Sequence, residues 1–281
     1  MTASAPSFPA ADAVRERSRT ENFSVASLLL GATTRRHLLA VYDFARLVDQ
    51  LGDAVDGDRL AALDEAEAEL DRAFGGDPRT PVFRRLAAVI RECRLERGPF
   101  ARLIDANRLD QRRHDYGTWD ELAAYCDLSA NPVGELVLGV FGVRTPDRLR
   151  LSDDVCTALQ LIEHVQDVRE DALQGRVYMP LEDREAFGVD EVELTGEAAT
   201  PAIRSLVAFE CARADELLRS GDELVASLRG RARLAVAGYV GGGRAQLAAV
   251  SAAGYDVLAS TPAATGAAKA RATLRVLCRT V

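Results

Sequence analysis

Residues 157–171 read TALQLIEHVQDVRED, and a helix gives that order a meaning. Gln160, Glu163, Asp167 and Asp171 follow one another at intervals of three, four and four, among Leu159, Ile162 and Val165. On a helix such positions share one face, so one amide and three carboxylates form a single stripe on a segment that is apolar over much of its circumference. A solvated acidic face would also produce such a row. A second stretch, VYDFARLVDQLGD at 41–53, repeats the device with Asp49 and Asp53 four apart. Arg46 precedes Asp49 by three, an ordinary helical salt-bridge spacing, and Tyr42 stands one turn earlier. Like charges one turn apart cost about 0.2–0.5 kcal/mol per pair, and more where water is kept away. A hard divalent cation such as Mg²⁺, shared with a phosphate-bearing ligand, would compensate. Spacing alone decides nothing, because 24 Asp in 281 residues supply about two D-x-x-x-D pairs by chance.

Outward from these stretches the chain keeps helical period. Residues 24–56 form an apolar run with Asn22 and Ser24 as candidate caps. Leu60, Leu63, Leu70 and Phe74 mark a helix ended by Gly75-Gly76 and Pro78, and Val82, Phe83, Leu86, Ile90 and Cys93 mark the next, stopped before Gly98-Pro99. Helices are expected over 100–116 and over 119–141, the latter interrupted at Asn131-Pro132, where proline removes a backbone donor. Further helices are expected at 151–173, near 200–228, over 231–258 and at 268–278, with a loop-rich stretch at 174–199. No segment alternates like a strand. The reading is one all-α domain over 21–281 behind a disordered 1–20.

Composition narrows the partners. The hydrophobic share of 48% supports a large core, and the aromatic share of only 6% favours helix over sheet. A net charge of −8 with no dominant basic stripe argues against nucleic acid. Lys269 is the single lysine, so almost every cation is an arginine, the side chain suited to bidentate phosphate recognition, although compositional bias explains that as well. Cys93, Cys126, Cys156, Cys211 and Cys278 are scattered and odd in number, which reads as small buried hydrophobes in a reducing compartment. The N-terminus lacks the basic and apolar regions of a signal peptide, and no apolar run reaches the ~18 residues needed to span a bilayer. The expectation is a cytoplasmic protein, with peripheral contact at the inner face of the membrane left open. His37, His114 and His164 are too scattered to form a ligand set, and Trp119 reads as packing at a helix start.

Taken together, the two acidic helices suggest a mechanism. The two aspartate pairs, Asp49/Asp53 and Asp167/Asp171, facing each other across a helical interior would hold Mg²⁺ ions bridging to a diphosphate, while arginine steadies the departing charge. An apolar cavity between helices would shelter a hydrocarbon and a carbocation.

The residues carrying this chemistry resemble a known family. Tyr42-Asp43-Phe44-Ala45-Arg46-Leu47-Val48-Asp49-Gln50-Leu51-Gly52-Asp53 resembles the Y-x-F-x-R-x-x-D-D-x-x-D signature of squalene/phytoene synthases. The 159–171 stretch resembles their L-Q-x-x-N-x-x-Q-D-V-x-x-D signature, followed here by Gly175-Arg176-Val177-Tyr178-Met179-Pro180 for their G-R-x-Y-x-P. Tyr125-Cys126 with Ala130-Asn131-Pro132-Val133-Gly134 is similar to their Y-C-x-x-x-A-x-x-V-G stretch. The likeness runs from about Glu21 to Tyr255, and the wording at 21–27 and 129–134 is most like bacterial hydroxysqualene synthases of the hopanoid route.

The resemblance implies an isoprenoid synthase fold with a central cavity, and Mg²⁺ as cofactor held by Asp49, Asp53, Glu163, Asp167 and Asp171. It implies that Arg46 and Tyr42 contact the diphosphate or its metals, that Gln160, Tyr125, Tyr178 and Tyr239 line the reaction centre, and that Arg176 is a further diphosphate contact. The implied reaction ionises presqualene diphosphate, opens the cyclopropylcarbinyl cation and captures it with water as hydroxysqualene. Condensation of two farnesyl or geranylgeranyl diphosphates on the same scaffold is the alternative, and a non-catalytic assembly protein is the alternative of another class. Other enzymes of the hopanoid pathway are candidate partners. Squalene formation would need a nicotinamide, yet no G-x-G-x-x-G follows a strand, and Gly241-Gly242-Gly243 sits in a helical context. Two departures stand out: Gln50 replaces the second Asp of the first signature, and Glu163 replaces the Asn of the second, as if to restore the lost charge on the facing helix.

Overall fold

The computed structural model describes residues 30–53 and 57–279. The expected disorder of 1–20, the caps Asn22 and Ser24 and the 21–27 stretch fall outside the described residues. Two compact units emerge from the packing: one takes in the chain up to Arg112 together with Leu136–Val143, the other Arg113–Glu135 and Arg144 onward. The fold is all-α, and among the described residues the only β pairing is the isolated bridge between Asp115 and Val177.

In the first unit, α1 (Ala32–Asp53) lies within the apolar run. Gly31, just ahead of it, adopts φ 76°, a left-handed conformation, and its carbonyl accepts the first helical bond from the Arg35 N–H at 3.1 Å. The helices α2 (Arg59–Gly75), α3 (Pro81–Cys93) and α4 (Arg97–Asp110) follow. Here the boundaries correct the sequence reading. Helix α3 ends at Cys93 because Arg94 turns left-handed at φ 52°, and Gly98-Pro99 lies inside the first turn of α4 rather than ahead of it. A proline costs nothing there, since first-turn N–H groups have no helical acceptor. Helix α4 also stops at Asp110, short of the expected 116. Phe44 of α1 meets Phe83 of α3 and Phe100 of α4 edge-on, with centroids 5.8 and 5.2 Å away, and all three rings are fully buried. Each such burial stabilises the unit by roughly 2 kcal/mol.

Helix α5 (Trp119–Ser129) belongs to the second unit, and after Ala130 the chain re-enters α6 (Asn131–Val140), whose residues from Leu136 belong to the first; the break is the one expected at Asn131-Pro132. Helix α7 (Pro146–Leu173) is longer than expected because Thr145 caps it and Pro146 opens it. The 174–199 stretch is not merely loop: it holds α8 (Leu181–Phe187) and a 3₁₀ turn, Glu191–Thr195. Helices α9 (Pro201–Ser227), α10 (Gly230–Ala252) and α11 (Gly266–Arg279) complete it. Helix α10 ends six residues early, where Gly254 and Tyr255 turn left-handed at φ 63° and 60°.

Helix α7 packs on α9, and α10 on both α9 and α11. Gly241 and Gly243 serve this packing. A Cβ on Gly241 would stand 2.5 Å from the Thr273 backbone nitrogen, and one on Gly243 2.8 Å from a Leu159 methyl. Cys126 and Cys211 are buried as expected of small hydrophobes, whereas Cys278 is exposed on α11. No described helix is long and apolar enough to cross a membrane.

Candidate active site

Helix α1 carries Tyr42, Arg46, Asp49 and Asp53 on its last turns. The Arg46 guanidinium stands 3.8 Å from the Asp49 carboxylate, both partly exposed, a loose pair of the kind worth little by itself. Asp49 is instead tied to α4, where the Asn107 amide donates to its Oδ1 at 3.4 Å and to the Leu103 carbonyl at 3.1 Å. Gln111 donates to the Gly52 carbonyl at 3.0 Å. This approach depends on Gly52, where a Cβ would stand 2.3 Å from Asn107 Oδ1. Asp53 is the last residue of the helix and is exposed. Gln50 Oε1 is shut from water and has no hydrogen-bond partner among the described residues. An ionised carboxylate there would carry a charge into the same dry setting.

Helix α7 holds the other stripe. Glu163 is exposed, while Gln160, Asp167 and Asp171 are partly buried. Burial pushes the Asp171 carboxyl up to about 7, with Asp167, Glu170 and Glu163 adding to the rise and Arg176 opposing it. Asp167 is raised too, by burial and by Glu170. The helix then ends in a turn that brings Arg176 back over the stripe. Gly175 is left-handed at φ 76°, its N–H reaching the Ala172 carbonyl at 3.0 Å, while the Arg176 N–H reaches that of Asp171 at 2.9 Å. This paired closure is the Schellman arrangement, and it requires a residue free to adopt positive φ.

The loop beyond is fastened to the segment before α5. Val177 N–H donates to the His114 carbonyl at 2.7 Å and Leu181 N–H to that of Tyr116 at 2.8 Å. The buried Arg184 grips Asp115 through both carboxylate oxygens, at 2.8 and 2.9 Å. Tyr178 is thereby set into a buried aromatic cluster. Its ring stacks on His164 with centroids 3.8 Å apart and 11° between planes, and lies 5.7 Å from Tyr125 and 5.8 Å from Tyr116. Gln160 Nε2 is 3.3 Å from His164 Nε2, and since an amide nitrogen only donates, the imidazole accepts there. Burial pushes His164 down to about 3, so the ring is neutral. On α10, burial raises the Tyr239 phenol, with Cys156 adding to the effect.

The middle stretch of the sequence explains how α7 is held. Asn131, 3% exposed, donates to Asp127 at 2.6 Å and accepts from the Thr157 hydroxyl at 3.1 Å. Gly134 lets α6 lie close to α7, since a Cβ would stand 2.3 Å from Ser152 Oγ. The structure thus brings Tyr125, Gln160 and Tyr178 into one cluster and Asp167, Asp171 and Arg176 into another, both anchored on α7. Two participants, Tyr116 and Asn107, carry no spacing signal and escaped the sequence reading. His164, read from sequence as a packing or surface residue, follows Gln160 by four residues and so shares its face. Among the described residues no three acidic, histidine or cysteine side chains gather closely enough to hold a metal by themselves. Mg²⁺ commonly takes only one or two carboxylates and completes its shell with water and phosphate oxygens, which carboxylates one turn apart can serve. The crowding that raises Asp171 is relieved by a cation, so the donor set fits one.

Comparison with known proteins agrees with these features. The family model for squalene/phytoene synthase matches residues 16–275. A hydroxysqualene synthase from Rhodopseudomonas palustris is 35% identical over 219 residues, 75% of this chain and 72% of that protein. A phytoene synthase from Arthrospira platensis is 30% identical over 223 residues, 74% and 72% respectively. Among solved structures, the squalene synthase HpnC from Alicyclobacillus acidocaldarius aligns with a TM-score of 0.81 at 45% identity, covering 87% of this chain and 94% of that one.

Proposed function

This chain belongs to the squalene/phytoene synthase family, and on that footing we propose that it converts presqualene diphosphate to hydroxysqualene. The observation that carries the reading is the pairing, on α7, of a crowded carboxylate stripe with a buried, uncharged aromatic cluster. One end answers a diphosphate and the other a carbocation. Asp49 and Asp53 on α1, and Glu163, Asp167 and Asp171 on α7, are the carboxylates that would hold Mg²⁺, which would supply the charge neutralisation that makes diphosphate a leaving group. Arg46, Arg176 and the Tyr42 hydroxyl are the chain's own donors to the departing oxygens.

The substrate's C–O bond breaks with both electrons leaving on diphosphate, and the cyclopropylcarbinyl cation that remains rearranges and opens to an allylic cation. Tyr125 and Tyr178 present π faces that stabilise positive charge without capturing it, and neutral His164 extends that surface. Gln160, fixed by His164, presents its amide oxygen as an acceptor for a water O–H, orienting the molecule whose oxygen adds to the cation before losing a proton. Tyr239 contributes a phenol kept protonated by burial.

Kinship to hydroxysqualene synthases at 32–35% identity supports this reaction. Phytoene synthases of comparable identity support a second reading, head-to-head condensation of two farnesyl or geranylgeranyl diphosphates. Purified protein with Mg²⁺ is incubated with presqualene diphosphate and, separately, with farnesyl diphosphate. A hydroxylated C30 product from the first substrate alone supports the proposal. Presqualene diphosphate formed from the second transfers it to condensation, and no turnover of any prenyl diphosphate favours a non-catalytic role.

A further inference from the structure

Beyond Asp256 the described chain has no acidic residue, yet it carries Lys269, Arg271, Arg275 and Arg279 on α11, in a protein whose net charge is −8. Arg271, Arg275 and Arg279 stand one turn apart on one stripe, and all three line a cleft of about 650 Å³ formed by α9, α10 and α11. Arg219 and Arg244 line it as well. The cations differ in how they are committed. Arg244 is engaged by both oxygens of Asp222, at 2.8 and 3.0 Å, and Arg219 pairs with Glu216 at 2.5 Å. No hydrogen bond or ion pair among the described residues engages Arg271, Arg275 or Arg279, and Asp215 is the one other acid on the lining. Successive like charges on a helix repel. A row of guanidiniums facing a concavity is therefore a standing demand for anionic oxygens.

We propose that this cleft is a second anion site, one that binds a phosphate-bearing ligand directly through arginine. It shares no lining residue with the carboxylate stripe or the aromatic cluster, and its chemistry is the reverse of theirs, because acidic helices need a cation before they can accept phosphate. The guanidinium fork matches phosphate oxygens two at a time, and turns about 6 Å apart suit a ligand with several such oxygens. The volume falls in the range of small-ligand sites, roughly 300–1,000 Å³. Leu274, 61% exposed, lies between Arg271 and Arg275 on the same helix, so the phosphate could come from a free diphosphate or from the headgroup of a phospholipid whose chain meets Leu274. The inference is independent of the reaction assigned above.

The test uses the full chain in EDTA, which silences metal-dependent binding, and compares it with R271Q/R275Q. Both arginines are exposed, so melting curves of the two proteins should coincide. Inorganic diphosphate is titrated by calorimetry, and flotation is measured with phosphatidylglycerol and with phosphatidylcholine vesicles. Saturable diphosphate binding, weakened about tenfold or more in the variant, assigns a free phosphate ligand. Flotation with phosphatidylglycerol alone, lost in the variant, assigns a lipid headgroup. Absence of both, or binding undiminished in R271Q/R275Q, overturns the proposal.

Discussion

Gly52 sits between Asp49 and Asp53 of α1, and its replacement by alanine separates two physical accounts by the sign of the result. In an unconstrained helix, glycine to alanine stabilises by about 0.5–1 kcal/mol. Here the new Cβ would stand 2.3 Å from Asn107 Oδ1, 3.1 Å from its Cγ and 3.3 Å from its Cβ. Asn107 is 8% exposed and donates to the Leu103 carbonyl, so it has little room to retreat. Overpacking of this kind costs about 1–3 kcal/mol. After the propensity gain, Gly52→Ala should destabilise by about 1–2 kcal/mol, or roughly 2–6 °C in melting temperature. Because Asn107 also holds Asp49, the Mg²⁺ concentration for half-maximal turnover should rise about tenfold, the scale of outer-shell changes. A double-mutant cycle completes the assay. In an Asn107→Ala background the clash is gone, so Gly52→Ala should be neutral or stabilising, with a coupling of about 1 kcal/mol or more. A higher melting temperature for the single variant, or the same effect in both backgrounds, would refute the close approach.

Other consequences are equally direct. Asp171→Asn should leave the metal-free protein at least as stable, since it removes a charge crowded by Asp167, Glu170 and Glu163, while lowering Mg²⁺-dependent turnover by about 100-fold or more; undiminished turnover would exclude a ligand role. Glu163→Asn should shift the Mg²⁺ dependence measurably, and an unchanged dependence counts against that residue as a ligand. His164→Phe preserves a ring against Tyr178 but not the acceptor for Gln160, so kcat should fall about tenfold with stability altered by under about 1 kcal/mol; a change confined to KM would point to packing alone. Glu210, fully buried, supplies a pH test. Burial pushes its carboxyl up to about 8, with Asp183 adding and Arg213, which donates to it at 2.7 Å, opposing. The folded protein keeps a proton that the unfolded chain releases, so this contribution is complete below about 4.5 and is lost as pH rises towards 8. Glu210→Gln should flatten that decline by on the order of 3 kcal/mol between pH 5 and 8, read from urea melts. Parallel pH profiles for the two proteins would sink the assignment.

The sequence made the helices and the acidic stripe legible because both rest on a single period. What it left out depends on contacts made by residues with no period of their own. Proline illustrates the limit: Pro99 reads as a stop, but first-turn positions tolerate the same ring, and α4 opens two residues before it. The glycines at 241–243 carry a faint nucleotide-loop signal, and the use of Gly241 and Gly243 is the close passage of α10 by Thr273 and Leu159. Tyr178 was legible as part of a loop motif. Its seat was not, because that depends on Arg184 gripping Asp115 and on backbone bonds to residues 114 and 116, separated from it by more than sixty positions.

The two departures from the family signatures acquire a physical sense from exposure. Counting charges alone, Glu163 replaces what Gln50 lacks. Their surroundings are unlike, however: Gln50 Oε1 is closed off from water, whereas Glu163 is exposed. A carboxylate in the first setting would add desolvation to like-charge repulsion with Asp49 and Asp53 before any cation arrived. At the second it is solvated and screened, and of the groups that raise Asp171 it ranks behind burial, Asp167 and Glu170. The exchange therefore keeps the number of acidic groups while moving one to where the metal-free fold tolerates it. Under the proposed function Glu163 would be a ligand recruited from solvent rather than a copy of the missing aspartate, and removing it should cost metal affinity without gaining the stability that removing Asp171 gains.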